Sequence, residues 1–116
     1  MVRGEVYFVR LRPRSGSEQS GTRPCVLVSR DNFNRSESWM SVTVVPVTSS
    51  ERWRRPSPVT VLLRAGEAGL AAESAAMAHQ VTTVDRSKFL LPAVGRLSPD
   101  RMAEVDQALR NYLDLA

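Results

Sequence analysis

Trp39-Met40-Ser41-Val42-Thr43-Val44-Val45-Pro46-Val47-Thr48 is the longest strand-like run in the chain. β-Branched residues dominate it, and such side chains fit a pleated, half-buried surface better than a helix, which restricts their χ1. Pro46 has no N–H for a ladder, so it is expected near an edge or a bulge. Trp39 and Met40 open the run, with an apolar role expected in the core or at an interface between copies. Working back toward the N-terminus, Arg30 to Ser38 is polar and reads as a connection. Pro24 to Ser29 reads as a buried strand, Pro13 to Thr22 as a Gly- and Ser-containing loop, and Glu5 to Arg12 as a partly alternating first strand. Working forward, Ser49 to Pro58 is a loop holding Arg52-Trp53-Arg54-Arg55, and Val59 to Arg64 is a fourth strand. Gly66 and Gly69 mark a turn, and Ser74 to Val84 is one strand or two short ones. Asp85 to Leu90 has room for one helical turn, and Ala93 to Leu97 for a last short strand.

The C-terminus changes period. Ser98-Pro99-Asp100 combines a capping side chain, a proline at the first helical position and an acid that the helix dipole favours. Met102, Val105, Leu109 and Tyr112 or Leu113 then recur at helical spacing, so Pro99 to Leu115 reads as one amphipathic helix packed on the sheet. Short strands with frequent turns, followed by a helix, define a mainly β fold with a C-terminal α-helix, the sheet forming a barrel or bending strongly. The 116 residues fit a single domain, 1–116, with a modest core that pairing of two copies would enlarge.

Hydrophobic residues make up 42% of the chain and charged residues 24%, ordinary values for a folded protein. The net charge is +4, and Lys88 is the only lysine. An arginine surplus suits an anionic polymer, because the planar guanidinium grips phosphate with two hydrogen bonds and stacks on bases; arginine-rich codon usage would give the same composition. Cys25 is the sole cysteine and lies in the apolar run Cys25-Val26-Leu27-Val28. It cannot form an internal disulfide and reads as a small buried hydrophobe. One histidine and one cysteine give no recognisable zinc site, so no metal or other cofactor is expected. Met1 to Glu5 lacks an export-type apolar stretch, and no run is long enough to span a bilayer. A cytoplasmic protein with no membrane contact is therefore expected.

Several blocks, in order along the chain, resemble the MazF/PemK toxins. They are Arg3-Gly4-Glu5-Val6-Tyr7, then Gly16-Ser17-Glu18-Gln19-Ser20-Gly21-Thr22-Arg23-Pro24, then Val44-Val45-Pro46-Val47-Thr48-Ser49. Ser74 with Gln80-Val81-Thr82-Thr83-Val84-Asp85 follows, and last Leu109 with Leu113-Asp114-Leu115. The resemblance implies an SH3-like barrel with a C-terminal helix, and a homodimer. It implies the toxin of a type II toxin–antitoxin system that cuts single-stranded RNA in a sequence-specific way. A cognate antitoxin would restrain it by laying an extended acidic tail across the RNA groove. It also implies a catalytic pair at Arg23 and Thr48. Thr82 departs from the pattern, since many relatives carry Arg or Lys there.

RNA carries its own nucleophile. Attack of its 2′-OH on the adjacent phosphorus leaves a 2′,3′-cyclic phosphate and a free 5′-OH. An enzyme need only align the backbone, stabilise the extra charge and manage protons. Arg23 suits the charge, being a fork donor that stays cationic, and Thr48 offers a hydroxyl donor. No conventional general base is apparent. Apart from the resemblance, Arg23 could simply pair with Glu18, and Thr48 could be an ordinary strand-end threonine. Ser17, Glu18 and Gln19 can read base edges or bind phosphate and sugar; they can equally order their own loop. Arg52, Trp53, Arg54 and Arg55 combine cations with a stacking surface, as single-stranded RNA requires, although Trp53 could instead fold back onto the sheet. Gln80 joins the RNA-contact set through its block. His79 reads as structural or surface. Two other functions share the fold. A CcdB-like gyrase poison acting through protein contacts would not need Arg23, and the chain lacks the Trp-Gly-Ile ending of that protein. A non-catalytic RNA-binding module would need neither Arg23 nor Thr48.

Overall fold

The computed structural model describes residues 1–11 and 21–116. Among them seven strands form one antiparallel sheet: β1 (Glu5–Leu11), β2 (Gly21–Leu27), β3 (Ser41–Thr48), β4 (Thr60–Leu63), β5 (Ser74–Met77), β6 (Thr82–Asp85) and β7 (Phe89–Arg96). The order is β4-β5-β3-β2-β1-β7, with β6 paired to β3. A short helix, α1 (Asp31–Asn34), joins β2 to β3, and a long one, α2 (Pro99–Leu113), ends the fold. The mainly β class with a C-terminal helix is as expected. Among the described residues the ladders do not run from β7 back to β4, so the sheet is not closed into a barrel.

Both faces of the central strands are buried, and the two faces carry alternate residues. Val6, Val26, Val45, Val47, Val61 and Ala76 pack under α2 against Met102, Val105 and Ala108. Tyr7, Val9, Cys25, Leu27, Val42 and Val44 face the other way, onto Val84 and Phe89. Burial on both sides explains why β2 and β3 read as nearly continuous apolar runs. Helix α2 starts as its sequence requires: Ser98 Oγ accepts the Arg101 N–H at 3.2 Å, and Pro99 is the first helical residue. Its apolar face is shorter than the periodicity suggests. Met102, Val105 and Ala108 are buried and Leu109 partly so, while Tyr112 and Leu113 stand about half exposed beyond the sheet.

Four local readings need correction. Pro46 is fully buried inside the sheet, not at an edge. On the side of β3 away from β2, the ladder to β6 ends at Val44↔Thr82 and that to β5 begins at Val47↔Ala76. Pro46 falls in the interval between these two partners, where a missing N–H costs no ladder bond. Trp39 and Met40 lie before β3, 51% and 60% exposed, because the polar turn ahead of them carries them off the sheet. β2 begins at Gly21, its polar start paired with Leu11, Arg10 and Val9 of β1. β7 begins at Phe89 and continues through Pro92, because its ladder with β1 shifts register between Val6 and Phe8.

The opening block is a structural clasp. The Arg3 guanidinium donates to the Val28 carbonyl at 2.8 Å and pairs with Asp106 of α2, and the Arg3 N–H donates to Asp31. Gly4 donates to the Leu27 carbonyl and accepts from the Leu97 N–H. Together these contacts tie β1, β2 and α2 at one end of the fold.

Candidate active site

Arg23 and Thr48 fall in one row of side chains when the β2–β3 register is extended past Cys25↔Pro46. Strands β2 and β3 pair as Cys25↔Pro46, Val26↔Val45 and Leu27↔Val44, and this register continued two residues further sets Arg23 across from Thr48. On its other side Thr48 pairs with Ala75, and Ala75 with Leu62. Directly paired residues share a sheet face, so Arg23, Thr48, Ala75 and Leu62 form a line across β2, β3, β5 and β4. Thr48 is 5% exposed, and its Oγ1 accepts the Ser50 N–H at 3.2 Å. That bond fixes the oxygen and leaves its O–H to be donated. Arg23 is partly exposed. Cys25, next on the same face, is fully buried, its Sγ 3.6 Å from the Arg23 carbonyl. Burial pushes its thiol up to about 12, so it is a packing residue and not a nucleophile.

The loop after Thr48 is anchored at both ends of β5. Arg54 donates to Glu73 at 3.3 Å and lies 3.5 Å from Glu51, while its Nε is buried with no hydrogen-bond partner among the described residues. The Trp53 ring packs 4.6 Å from His79, and the Arg52 guanidinium lies 5.1 Å from the Trp53 centroid. The arginine-tryptophan cluster therefore divides: Arg52 and Arg55 are exposed, while Trp53 and Arg54 are half-buried and held by the fold. His79 is a packing piece between Trp53 and Tyr112, whose ring is 6.3 Å away. Both its nitrogens are buried without partners among the described residues, and burial lowers its pKa. Gln80 ends the turn after β5 and Thr82 opens β6, both partly exposed. Ser17, Glu18 and Gln19 lie outside the described residues. Among the described residues no three His, Cys, Asp or Glu side chains gather to hold a metal ion.

Some residues that shape the site escape a linear reading. Glu51, Glu73 and Leu62 line, with Arg54, Arg64 and Ser74, an open cleft of about 500 Å³ at the Leu62 end of the row. Arg86 fastens the connection after α1, donating to the carbonyls of Phe33, Asn34, Ser36 and Trp39. Nothing local marks Glu73 and Arg86, whose partners lie 19 and 47–53 positions away, whereas Glu51 meets Arg54 only three residues on.

The sequence matches, over residues 2–113, the family described as PemK-like, MazF-like toxin of type II toxin-antitoxin system. The chain belongs to this PemK/MazF toxin family. Endoribonuclease MazF9 of Mycobacterium tuberculosis is 39% identical to it over 118 residues, covering 99% of the chain and 98% of that protein. Endoribonuclease EndoA of Bacillus subtilis is 31% identical, covering 97% and 94%. The crystal structure of MazF from Deinococcus radiodurans superposes with a TM-score of 0.78 at 25% identity, covering 98% of the chain and 96% of that structure. A mycobacterial endoribonuclease in complex with its cognate antitoxin shares the fold, with a TM-score of 0.76 at 24% identity and coverage of 100% and 97%. The described parts of the PemK/MazF blocks fall on the Arg3 clasp, the Arg23–Thr48 row, the turn that leads from His79 into β6, and the end of α2. No described helix is long and apolar enough to cross a membrane.

Proposed function

We propose that this toxin is a sequence-specific endoribonuclease that cuts single-stranded RNA without needing a metal. The chain, 1–116, acts as one domain and leaves 2′,3′-cyclic phosphate and 5′-OH ends. The observation that carries the reading is the β2–β3 register, which, continued past Cys25↔Pro46, sets Arg23 across from Thr48. A guanidinium and a hydroxyl on neighbouring strands, about one strand spacing of 4.8 Å apart along the ladder, can hold one phosphate between them. The 2′-OH of the RNA attacks the phosphorus, and charge accumulates on the non-bridging oxygens. Arg23 donates two parallel N–H groups to that charge and Thr48 a third donor. The RNA-contact surface comprises Ser17, Glu18 and Gln19 before Arg23, Arg52, Trp53, Arg54 and Arg55 after Thr48, and Gln80.

The protein works as a cytoplasmic homodimer restrained by an antitoxin with an extended acidic tail over the RNA groove. The dimer reading draws support from Phe33, Trp39 and Met40, an exposed apolar group whose Phe33 and Trp39 rings lie 4.7 Å apart. The antitoxin reading draws support from the mycobacterial complex named above. A complex of MazE with MazF from Deinococcus radiodurans, at 24% identity, adds to it.

The test is cleavage of a long defined single-stranded RNA by purified protein in a chelator, wild type against Arg23→Ala, with cut ends mapped by sequencing. Specific cuts ending in cyclic phosphate that vanish in Arg23→Ala are expected. No cutting by folded wild-type protein across several RNAs would overturn the proposal.

A further inference from the structure

The cleft at the end of the catalytic row has the chemistry of a base-recognition pocket. Leu62 lies two strands from Thr48 in the row, roughly 10 Å at the usual strand spacing, so a base next to the scissile phosphate can reach it. Leu62 is 38% exposed, which gives the cleft an apolar surface against which a base can lie flat. Around it stand opposed charges. Arg54 lies between Glu73 at 3.3 Å and Glu51 at 3.5 Å, and its buried Nε has no partner among the described residues. Both ion pairs are long for charge-assisted bonds, which close to about 2.8 Å when optimal. Glu73 keeps 69% of its side-chain surface exposed, so its carboxylate remains open to a ligand. Arg54 is thus positioned by its carboxylates without being saturated by them.

We infer that this cleft, lined by Leu62, Arg54 and Glu73, binds an unpaired guanine next to the scissile phosphate and so sets part of the cleavage sequence. The inference rests on the ribonuclease reading above. Guanine presents two acceptors, O6 and N7, beside two donors, N1–H and the 2-amino group. An arginine beside a carboxylate presents the complementary order, the guanidinium to O6 and N7 and the carboxylate to N1–H and N2–H. Adenine offers a donor where the arginine needs an acceptor, and the pyrimidines lack N7. Arg64, which also lines the cleft and is exposed, adds positive charge for the backbone of the same nucleotide.

The experiment measures kcat/KM on short RNAs identical except at the nucleotide flanking the cut, carrying guanine, inosine or adenine there. Wild type, Glu73→Gln and Arg54→Gln are compared, with folding checked by thermal melting. Wild type is expected to prefer guanine. Glu73→Gln is expected to lower the guanine-to-inosine ratio, because only the 2-amino contact separates those bases, and Arg54→Gln the guanine-to-adenine ratio, each by about tenfold. Wild-type cleavage with no guanine preference at either flanking position would overturn the inference and leave the nuclease reading intact, as would unchanged ratios in both folded variants. Absence of any wild-type cleavage would overturn the nuclease reading and this one with it.

Discussion

The Trp53 and His79 rings meet at a centroid distance of 4.6 Å and an interplanar angle of 40°. This contact fastens the loop after Thr48 to the turn that leads into Gln80, so two segments of the proposed RNA surface are held by one packing pair. Burial keeps His79 below the ordinary histidine value of about 6.5. A base with a lowered folded pKa binds fewer protons folded than unfolded. Stability is therefore complete above about pH 6.5 and declines as pH falls from there toward the folded value. A Tm that falls between pH 7 and pH 5.5 in wild type, with the fall reduced in His79→Gln, is expected in thermal melts. Equal slopes in the two proteins would show that His79 does not titrate in this way.

The neighbouring anchor tests the loop itself. Trp53→Ala removes the ring that His79 and Arg52 cover, freeing the loop and taking away a stacking surface. Binding of a 2′-deoxy analogue that cannot be cut should weaken by about tenfold or more. The effect should appear in KM more than in kcat, since Trp53 is not proposed to touch the reacting atoms. A loss confined to kcat would place Trp53 in the chemistry instead.

Thr48 makes a sharper test of the chemistry. Thr48→Val keeps the shape of a buried side chain and removes only the hydroxyl. Ser50 loses its acceptor, but Ser50 is exposed and water replaces the bond. Stability should therefore change by less than about 1 kcal/mol, while single-turnover cleavage slows by roughly 100-fold. Unchanged cleavage would reduce Thr48 to a strand-end residue.

The contrast between these residues shows what a linear reading reaches. The strands, the helix start at Ser98 and the buried Cys25 were legible because each depends on local chemistry: β-branched runs, a capping side chain, an apolar environment. Arg23 and Thr48 stand out only through the family blocks, and the β2–β3 register, continued past Cys25↔Pro46, sets them across from each other. Pro46 was misplaced because a gap between two ladder partners is a property of the whole sheet, invisible in one strand. For Trp39 and Met40 the exposure leaves, of the two places expected, only the interface between copies, because apolar character does not say whether a side chain faces the chain's own core. Arg86 and Glu73 carry no local signal at all, since their partners are distant in the chain.

Gly69 and Gly95 mark another long-range fit. A Cβ on Gly69 would sit 2.1 Å from the Val94 carbonyl oxygen, and one on Gly95 2.2 Å from the Ala68 carbonyl. The Gly66–Gly69 turn and β7 are therefore pressed backbone to backbone. Gly69 also has φ of +78°, where a side chain is strained. Gly69→Ala should cost about 2 kcal/mol or more, a drop in Tm of roughly 8 °C. A melt within a degree of wild type would show that the turn can lift off β7 freely.

Glu67, on that same turn, predicts acid sensitivity. It takes two hydrogen bonds from Arg101, at 2.8 and 3.1 Å, and these hold its carboxyl below the ordinary glutamate range. The folded pKa is depressed, so the contribution is fully present above the unfolded value of about 4.3 and is lost as pH falls through the folded one. Asp31 behaves alike, its carboxylate held low chiefly by the Arg3 N–H, with help from Asn34. Both acids brace the frame around the sheet: Glu67 joins the β4–β5 connection to α2, and Asp31 joins α1 to the N-terminus. The midpoint of acid unfolding should therefore lie below pH 4, and Glu67→Gln should flatten the pH dependence of stability between pH 5 and pH 3. Part of the gain is screened, since both Glu67 and Arg101 keep more than a quarter of their side-chain surface in water. At neutral pH the substitution should therefore cost less than about 1 kcal/mol. A cost that large or larger at pH 7, with an unchanged acid limb, would assign Glu67 a packing role and remove the charge pair from the account.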